Sequence, residues 1–276
     1  MTIADAELVM MLDSLIQYGD VVISRNSEVR RNFLPPRVVF NSTPLVTVRK
    51  TAWKNALREM EWFLSGSEYI SDLHPSVRKW WSPWANASGK IANTYGRQFR
   101  EAYGYDGGSK DQIEYAIEAL RDHPNSRRIV LTTWNAADML NHETPITNCH
   151  GTVIQFSVDV STNKAHMFMY QRSCDVMVGM QHNWIQYWAL LMWLCKESGR
   201  IPGQFTWMGG DVHLYKEHDK LAEKLIELYE DNYMKWPHIP ELILRNTAIG
   251  APFKADDFEL DGEPVWMCDD SAQLVV

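Results

Sequence analysis

YQRSCDVMVGMQHN, residues 170–183, marks a predicted change from strand to helix. A strand-like apolar segment ends at its first residue, and a long helical pattern begins within it. Upstream, TNCHG at residues 147–151 sets a cysteine directly before a histidine, just ahead of another strand-like segment. The first question is whether this cysteine and the arginine-bearing run act together.

Apolar periodicity predicts the remaining elements. Helical spacing is clearest over residues 6–18, 51–64, 111–121, 175–197 and 217–229. Segments rich in β-branched or alternating apolar residues predict strands at 37–40, 128–134, 152–160, 165–170, 204–208 and 241–244. The order is not a regular βαβ alternation, and neither GxGxxG nor GxxxxGK[ST] occurs. We therefore expect an α+β fold with a largely central sheet, and neither a Rossmann nor a P-loop fold.

Length and composition predict a single domain. At 276 residues the chain is near the upper limit for one hydrophobic core, and no repeat, low-complexity tract or linker divides it. We therefore treat residues 1–276 as one domain. Aromatic residues make up 12% and include 12 Trp, a content that suits a deep pocket with planar walls as well as a core.

Charge and cysteine content exclude several classes of function. A net charge of -8 argues against nucleic-acid or anionic-membrane binding, because such binders need an extended positive field. The four cysteines have no CxxC spacing, so neither a metal site nor a disulfide framework is expected. The N-terminus lacks a basic signal-peptide region, and the longest apolar run, 184–195, is short and interrupted by Gln186. A soluble, cytoplasmic protein without nucleic-acid or membrane partners is predicted.

Cys149 is the first candidate for chemistry. A cysteine before a strand is more often a small buried hydrophobe than a nucleophile, and a thiolate needs positive neighbours to lower its pKa. NSRRIV offers Arg127 and Arg128, and YQRSCD offers Arg172. If these arginines share a pocket with Arg25, they form a fork-shaped receptor for a phosphate dianion; otherwise they are solvated surface charges.

GGDVHLY, residues 209–215, offers a second polar group. Residues two apart on a strand face the same side, so His213 and Tyr215 are able to reach one sugar hydroxyl together. The alternative is that both are half-exposed strand residues without a ligand.

Together these segments resemble thymidylate synthases and their relatives, the deoxynucleotide-monophosphate hydroxymethylases. The matching pieces, in family order, are TPLVTVRK, REMEWFLSG, TYGRQF, NSRRIVLTTWN, NCHG, YQRSCDVMVGMQHN and WMGGDVHLY. The resemblance runs from Arg25 to DDFEL at residues 256–260 and covers nearly the whole chain. It implies a single α+β domain in which helices surround a large twisted mixed sheet, and a homodimer formed through that sheet.

The resemblance also implies roles for individual residues. Cys149 is expected to add to C6 of the pyrimidine, and further catalytic roles are implied for Glu59, Tyr95, His150, Asp175 and Asn183. The nucleotide is expected to contact Arg25, Gln171, Arg172, Ser173, Asn183, His213 and Tyr215, with Arg127 and Arg128 acting across the homodimer interface. The folate co-substrate, 5,10-methylenetetrahydrofolate, is expected to contact Trp81, Trp84, Asp175, Val178, Gly179 and His182.

Asn183 matches the family residue that reads the pyrimidine. Its carboxamide is able to accept from N3–H and donate to O4 of uracil, whereas the dCMP-specific hydroxymethylases carry an aspartate there. The asparagine therefore points to dUMP as the substrate.

The departures from the family pattern bear on the product. Thymidylate synthases typically read PCH, GLPFN and GPVYG where this chain reads NCH, GMQHN and KIANTYG. REMEW and IANTYG look like the hydroxymethylase branch, and the tail VWMCDDSAQLVV does not resemble the synthase ending that closes over folate. Gln181 and His182, in place of a proline and a phenylalanine, predict a wetter wall that is able to hold water.

The two enzyme classes share every step up to an exocyclic methylene on C5. A synthase then transfers hydride and releases dTMP with dihydrofolate, whereas a hydroxymethylase adds water and releases 5-hydroxymethyl-dUMP with tetrahydrofolate. We expect a dUMP hydroxymethylase, which would suit a phage that replaces thymine in its DNA within the host cytoplasm. A thymidylate synthase and a non-catalytic nucleotide- or RNA-binding relative are the alternatives.

Overall fold

The computed structural model describes residues 2–24, 27–32, 36–103, 108–139, 148–232, 240–273 and 275. Its helices are α1 (Ile3–Tyr18), α2 (Trp53–Ser65), α3 (Arg78–Trp81), α4 (Tyr95–Arg100), α5 (Gln112–Asp122), α6 (Met180–Ser198) and α7 (Asp219–Asn232). Its strands are β1 (Asp20–Ile23), β2 (Glu28–Asn32), β3 (Arg37–Phe40), β4 (Ala102–Tyr103), β5 (Ser109–Lys110), β6 (Val130–Leu131), β7 (Val153–Asp159), β8 (Lys164–Asp175), β9 (Ile201–Tyr215), β10 (Leu242–Leu244) and β11 (Phe258–Leu260).

A seven-stranded mixed sheet organises the molecule. Its order is β1-β2-β9-β8-β7-β6, and β3 also pairs with β9. The long strands β8 and β9 are parallel, and every other pair in the sheet is antiparallel. Because parallel neighbours need a crossover, α6 leaves the end of β8 and returns the chain to the start of β9. The large mixed sheet with surrounding helices confirms the predicted α+β fold.

The predicted start of the long helix is wrong. The pattern placed it at Asp175, but β8 continues to Asp175, which pairs with His213 of β9, and α6 begins at Met180. Between strand and helix, the Asp175 carboxylate accepts the backbone N–H groups of Met177 and Val178 at 2.9 and 3.1 Å. The apolar residues of this turn imitate helical spacing, and only the pairing with a distant strand decides the boundary.

Other strand lengths also differ from the prediction. Parallel pairing with β8 as far as His213 and antiparallel pairing with β2 as far as Tyr215 extend β9 well beyond the predicted end at 208. The strand predicted over 128–134 shortens to Val130–Leu131. The strands β1 and β2 were not predicted, because EVRRN in β2 is too polar to give an apolar alternation.

The buried side chains form one continuous hydrophobic core. Its centre is α6, which is buried along nearly its whole length and packs on the sheet where Trp184 meets Trp207 with ring centroids 5.5 Å apart. The opposite face of the sheet, which includes Phe168, Tyr170 and Met208, is only half-buried. In the described ranges, no helix has both the length and the apolar character needed to cross a membrane.

Candidate active site

Cys149 lies on the loop before β7 and is fixed from two sides. Its backbone carbonyl accepts the N–H of Ser173 at 3.3 Å, which ties the loop to β8. Its backbone N–H donates to the Tyr95 hydroxyl at 2.8 Å, and its Sγ lies 3.3 Å from the same oxygen. The Tyr95 oxygen also accepts the N–H of His150 at 3.4 Å. With both lone pairs engaged, the Tyr95 hydroxyl proton is directed at the sulfur.

Opposing influences set the pKa of the Cys149 thiol. Burial is the largest influence and raises this pKa above its ordinary value, and the carboxylate of Glu59 acts in the same direction. The hydrogen bond with Tyr95 and the positive charge of Arg172 act to lower it. The Arg172 guanidinium lies 5.4 Å from the ring centroid of Trp134, a cation–π contact that holds it in place. At neutral pH the free site therefore rests with a protonated thiol.

His150 is a neutral support for Tyr95. The two rings stack with centroids 4.1 Å apart, and the imidazole Nδ1 shares a 2.9 Å hydrogen bond with the hydroxyl of Tyr187. Burial lowers the pKa of His150 to about 3, so it carries no charge at neutral pH. The following Gly151 has φ 60°, and a Cβ there would lie 2.1 Å from the Tyr187 oxygen, which explains the glycine of NCHG.

Glu59 of α2 is a buried carboxyl poised for proton transfer. It accepts from Trp81 Nε1 at 2.5 Å through one oxygen and from Gln186 Nε2 at 2.5 Å through the other. Burial raises its pKa to about 7, although both hydrogen bonds act to lower it. A pKa near neutrality allows the group to take up and release a proton under working conditions.

A chain of buried amides connects Glu59 with the predicted base-reading residue. Asn183 Nδ2 donates to Gln186 Oε1 at 3.0 Å, and Asn183 Oδ1 accepts from Gln171 Nε2 at 2.9 Å. Gln171 Oε1 in turn accepts from Trp207 Nε1 at 2.9 Å. Gln186 was missed as a functional residue, although it is the single polar residue that interrupts the apolar run of α6.

Asp175 retains one buried acceptor that is able to receive a donor from a ligand. While Oδ1 accepts the two backbone N–H groups of the turn, Oδ2 is buried and has no hydrogen-bond partner among the described residues. Burial raises the pKa of Asp175, and the nearby His213 acts to lower it. A buried acceptor without a donor suits the N–H groups of a pterin ring. The half-buried indole ring of Trp84, 5.9 Å from the buried ring of Trp81, offers apolar surface for such a ligand.

His182 has no free ring nitrogen. Its Nδ1 donates to the carbonyl of Val178 at 2.8 Å, and its Nε2 accepts the N–H of Ala52 at 3.3 Å. Burial lowers its pKa to about 4. Because both nitrogens are engaged, the structure does not support our hypothesis that His182 holds a water, and only its ring faces are left for a ligand. The ring of Trp80 lies 5.3 Å away.

Gln181 differs from its neighbour. Its side chain is 1% exposed and its Nε2 donates to the carbonyl of Met177 at 3.0 Å. Its Oε1 is buried and meets no donor in the part of the chain that the structure describes. Gln181 therefore retains one buried acceptor.

His213 and Tyr215 lie on the same side of β9, as predicted, with ring centroids 5.4 Å apart. Asp211 Oδ1 lies 3.3 Å from His213 Nδ1. Burial acts to lower the pKa of His213, but the hydrogen bond with Asp211 and the charges of Asp175 and Asp211 outweigh it, so this pKa is raised. Arg31 of β2, 3.3 Å from Asp211, is a charged neighbour that the sequence reading missed.

The arginines predicted to bind phosphate are not brought together within one chain. Arg172 lies near Cys149, whereas Arg127 and Arg128 are exposed just before the edge strand β6. Neither has an ion-pair partner within the described ranges of this chain. Arg25 falls outside the described residues.

Comparison with known proteins gives consistent matches. A protein-family model described as "Thymidylate synthase" matches residues 26–264. Thymidylate synthase of Buchnera aphidicola subsp. Baizongia pistaciae (strain Bp) is 38% identical over 186 residues, which are 66% of this chain and 67% of the relative. Thymidylate synthase of Buchnera aphidicola subsp. Acyrthosiphon pisum (strain APS) is 36% identical over 183 residues, with the same two coverages.

Proposed function

The chain belongs to the thymidylate synthase family of one-carbon transferases, and on that premise we propose that it is a folate-dependent dUMP hydroxymethylase. It would convert dUMP, 5,10-methylenetetrahydrofolate and water to 5-hydroxymethyl-dUMP and tetrahydrofolate. The family match supports folate-dependent modification of dUMP. The choice of water over hydride as the last reactant goes beyond the family match, and the buried Oε1 acceptor of Gln181 supports it.

Cys149 begins the reaction in this proposal. The thiol first gives up its proton to solvent, the thiolate then adds to C6 of dUMP, and the displaced electron pair makes C5 nucleophilic. Tyr95 holds the sulfur and its loop, while Arg172 supplies positive charge beside it and receives the phosphate. The co-substrate supplies the one-carbon unit when bound, and Asp175 Oδ2 with the rings of Trp81 and Trp84 would hold it.

The observation that carries the proposal is the buried Oε1 of Gln181, which has no hydrogen-bond partner among the described residues. A buried carbonyl oxygen without a donor is costly, and a water molecule is the smallest donor that satisfies it. Synthases typically place a proline at this position, and proline has no side-chain acceptor. We propose that this water is the one that the hydroxymethylase reaction consumes.

Glu59 completes the water step. The water oxygen bonds to the exocyclic methylene carbon, and one water proton passes to the Glu59 carboxylate, whose pKa of about 7 suits this transfer. The electron pair moves into the ring and then expels Cys149 from C6, which restores the C5–C6 double bond and the thiolate. The released proton later leaves Glu59 to solvent.

We further propose a homodimer formed through the open face of the sheet. Phe168, Tyr170 and Met208 leave half-buried apolar surface on the face opposite α6. Arg127 and Arg128 are exposed and have no ion-pair partner in the described part of their own chain, which agrees with an anion bound in the partner's site. The homodimer, the phage origin and the cytoplasmic location stay predictions.

Thymidylate synthase is the second candidate, favoured by the names of both relatives. Absorbance separates the two functions, because only the synthase produces dihydrofolate. We expect nucleotide turnover without dihydrofolate, and dihydrofolate equal to product would contradict the proposal. The variant Gln181→Leu should lower the hydroxymethylated fraction, whereas Gln112→Leu, a matched change on α5, should not. Bound dUMP without turnover would favour the non-catalytic relative.

A further inference from the structure

We propose that Gln186 is a specificity-determining residue: with Gln171, it locks the Asn183 amide in the orientation that reads uracil and rejects cytosine. The inference rests on the proposed function, because it concerns the base bound in that same site. The donors and acceptors of the buried amide chain leave each of its amides one allowed orientation.

Gln186 has no freedom to turn its amide over. Its two N–H groups donate to the carbonyl of Ala56 at 3.0 Å and to Glu59 Oε2 at 2.5 Å. Its Oε1 accepts from Asn183 at 3.0 Å. The Ala56 carbonyl only accepts, so a reversed Gln186 would set two oxygens against each other. Gln186 is 0% exposed, and no bulk water compensates.

Gln171 is fixed in the same way from the opposite end. Its Nε2 donates to the carbonyl of Ser173 at 3.2 Å and to Asn183 Oδ1 at 2.9 Å. Its Oε1 accepts from Trp207 Nε1 at 2.9 Å, and an indole N–H only donates. The backbone carbonyl and the indole therefore give Gln171 a single allowed orientation.

Asn183 lies between these two fixed amides. Its Oδ1 accepts from Gln171, and its Nδ2 donates to Gln186. Reversing the Asn183 amide would therefore break both hydrogen bonds at once. One N–H and one lone pair of Asn183 are left over. They complement O4 and N3–H of uracil, whereas cytosine presents a donor at N4 and an acceptor at N3 and needs the reversed amide.

Equilibrium binding of dUMP and dCMP, measured by calorimetry without folate, tests this inference. Gln186→Met keeps an unbranched side chain of similar size but removes the acceptor that faces Asn183. We expect the dUMP-to-dCMP affinity ratio to fall about tenfold, the value of one buried hydrogen bond. Loss of packing alone would weaken both nucleotides equally and leave the ratio unchanged.

Two further variants sharpen the readout. Gln112→Met is the matched control, because Gln112 also makes three amide hydrogen bonds, to Gln98 and Thr132, and lies on α5. Its affinity ratio should equal that of the wild type. Gln186→Glu should retain most of the uracil preference, because one of its oxygens still accepts from Asn183, although one proton replaces only one of the two donors that Ala56 and Glu59 receive from Gln186.

The outcomes separate the two proposals. A wild-type protein without preference for dUMP would overturn the proposed function and this inference together. A wild-type preference that survives Gln186→Met unchanged would overturn the role of Gln186 alone. If Gln186→Met does not fold, Trp207→Phe removes the donor that anchors Gln171. The ratio should then fall as well, and an unchanged ratio would count against the locked amide.

Discussion

The Tyr95 hydroxyl lies 3.3 Å from Cys149 Sγ and accepts the Cys149 backbone N–H at 2.8 Å, so one phenol positions both the sulfur and its loop. Removing that hydroxyl in Tyr95→Phe removes a contact that acts to lower the pKa of the thiol. We expect the pH profile of Cys149 alkylation to move to higher pH and turnover to fall at least about tenfold. Cys149→Ala gives the background labelling, and an unmoved profile would argue against this contact.

Glu59 makes stability depend on pH. Its pKa is raised from 4.5 to about 7, so the folded protein binds more protons than the unfolded chain between these values. The stabilisation by protonated Glu59 is fully present below pH 4.5 and is lost as pH rises through about 7. The free energy of unfolding should fall by about 3 kcal/mol at most over this range. Urea unfolding of Glu59→Gln should show a smaller loss of unfolding free energy over this range. If the free energy of unfolding fell equally with rising pH in both proteins, the raised pKa of Glu59 would be contradicted.

Arg127 and Cys149 are predicted to serve one site from two chains. Arg127→Ala and Cys149→Ala should each be nearly inactive alone, because every site in either homodimer lacks one residue. Mixing equal amounts under conditions of subunit exchange should restore roughly a quarter of wild-type activity, since half of the dimers are hybrids with one complete site. No recovery after mass spectrometry has confirmed hybrid dimers would exclude a shared site.

Asn183→Asp should change the preferred base. A protonated or water-bridged carboxyl group is able to satisfy the cytosine edge, whereas the locked carboxamide matches uracil. We expect the ratio of kcat/KM for dCMP over dUMP to rise by about two orders of magnitude. An unaltered ratio would remove Asn183 as the base-reading residue.

The sequence predicts which residues form the site better than it predicts the hydrogen bonds between them. Cys149, Tyr95, Glu59 and Asn183 were all named from motifs, and the contacts of Cys149 with Tyr95 agree with that grouping. Gln186 was noticed only as an interruption of an apolar run. Its contact with Glu59 joins residues that are 127 positions apart in the sequence, and no local sequence pattern predicts a contact over such a separation.

The limits of the fold prediction have the same origin. The part of β8 beyond Tyr170 is a strand because it pairs with the part of β9 beyond Met208, as far as Asp175 with His213. That pairing is long-range, and the local apolar spacing favours a helix instead. By contrast, the strand Arg37–Phe40 was predicted with its correct bounds, because its short run of β-branched and aromatic residues is flanked by Pro36 and Asn41, which favour turns.

The source of the last substituent on C5 tests the central claim most directly. Protein, dUMP and 5,10-methylenetetrahydrofolate would be incubated in water enriched in heavy oxygen, and the nucleotide product would be analysed by mass spectrometry. We predict 5-hydroxymethyl-dUMP that carries one solvent oxygen in its new hydroxyl group, together with unoxidised tetrahydrofolate. A product identified as dTMP, with no solvent oxygen and an equal amount of dihydrofolate, would contradict the account.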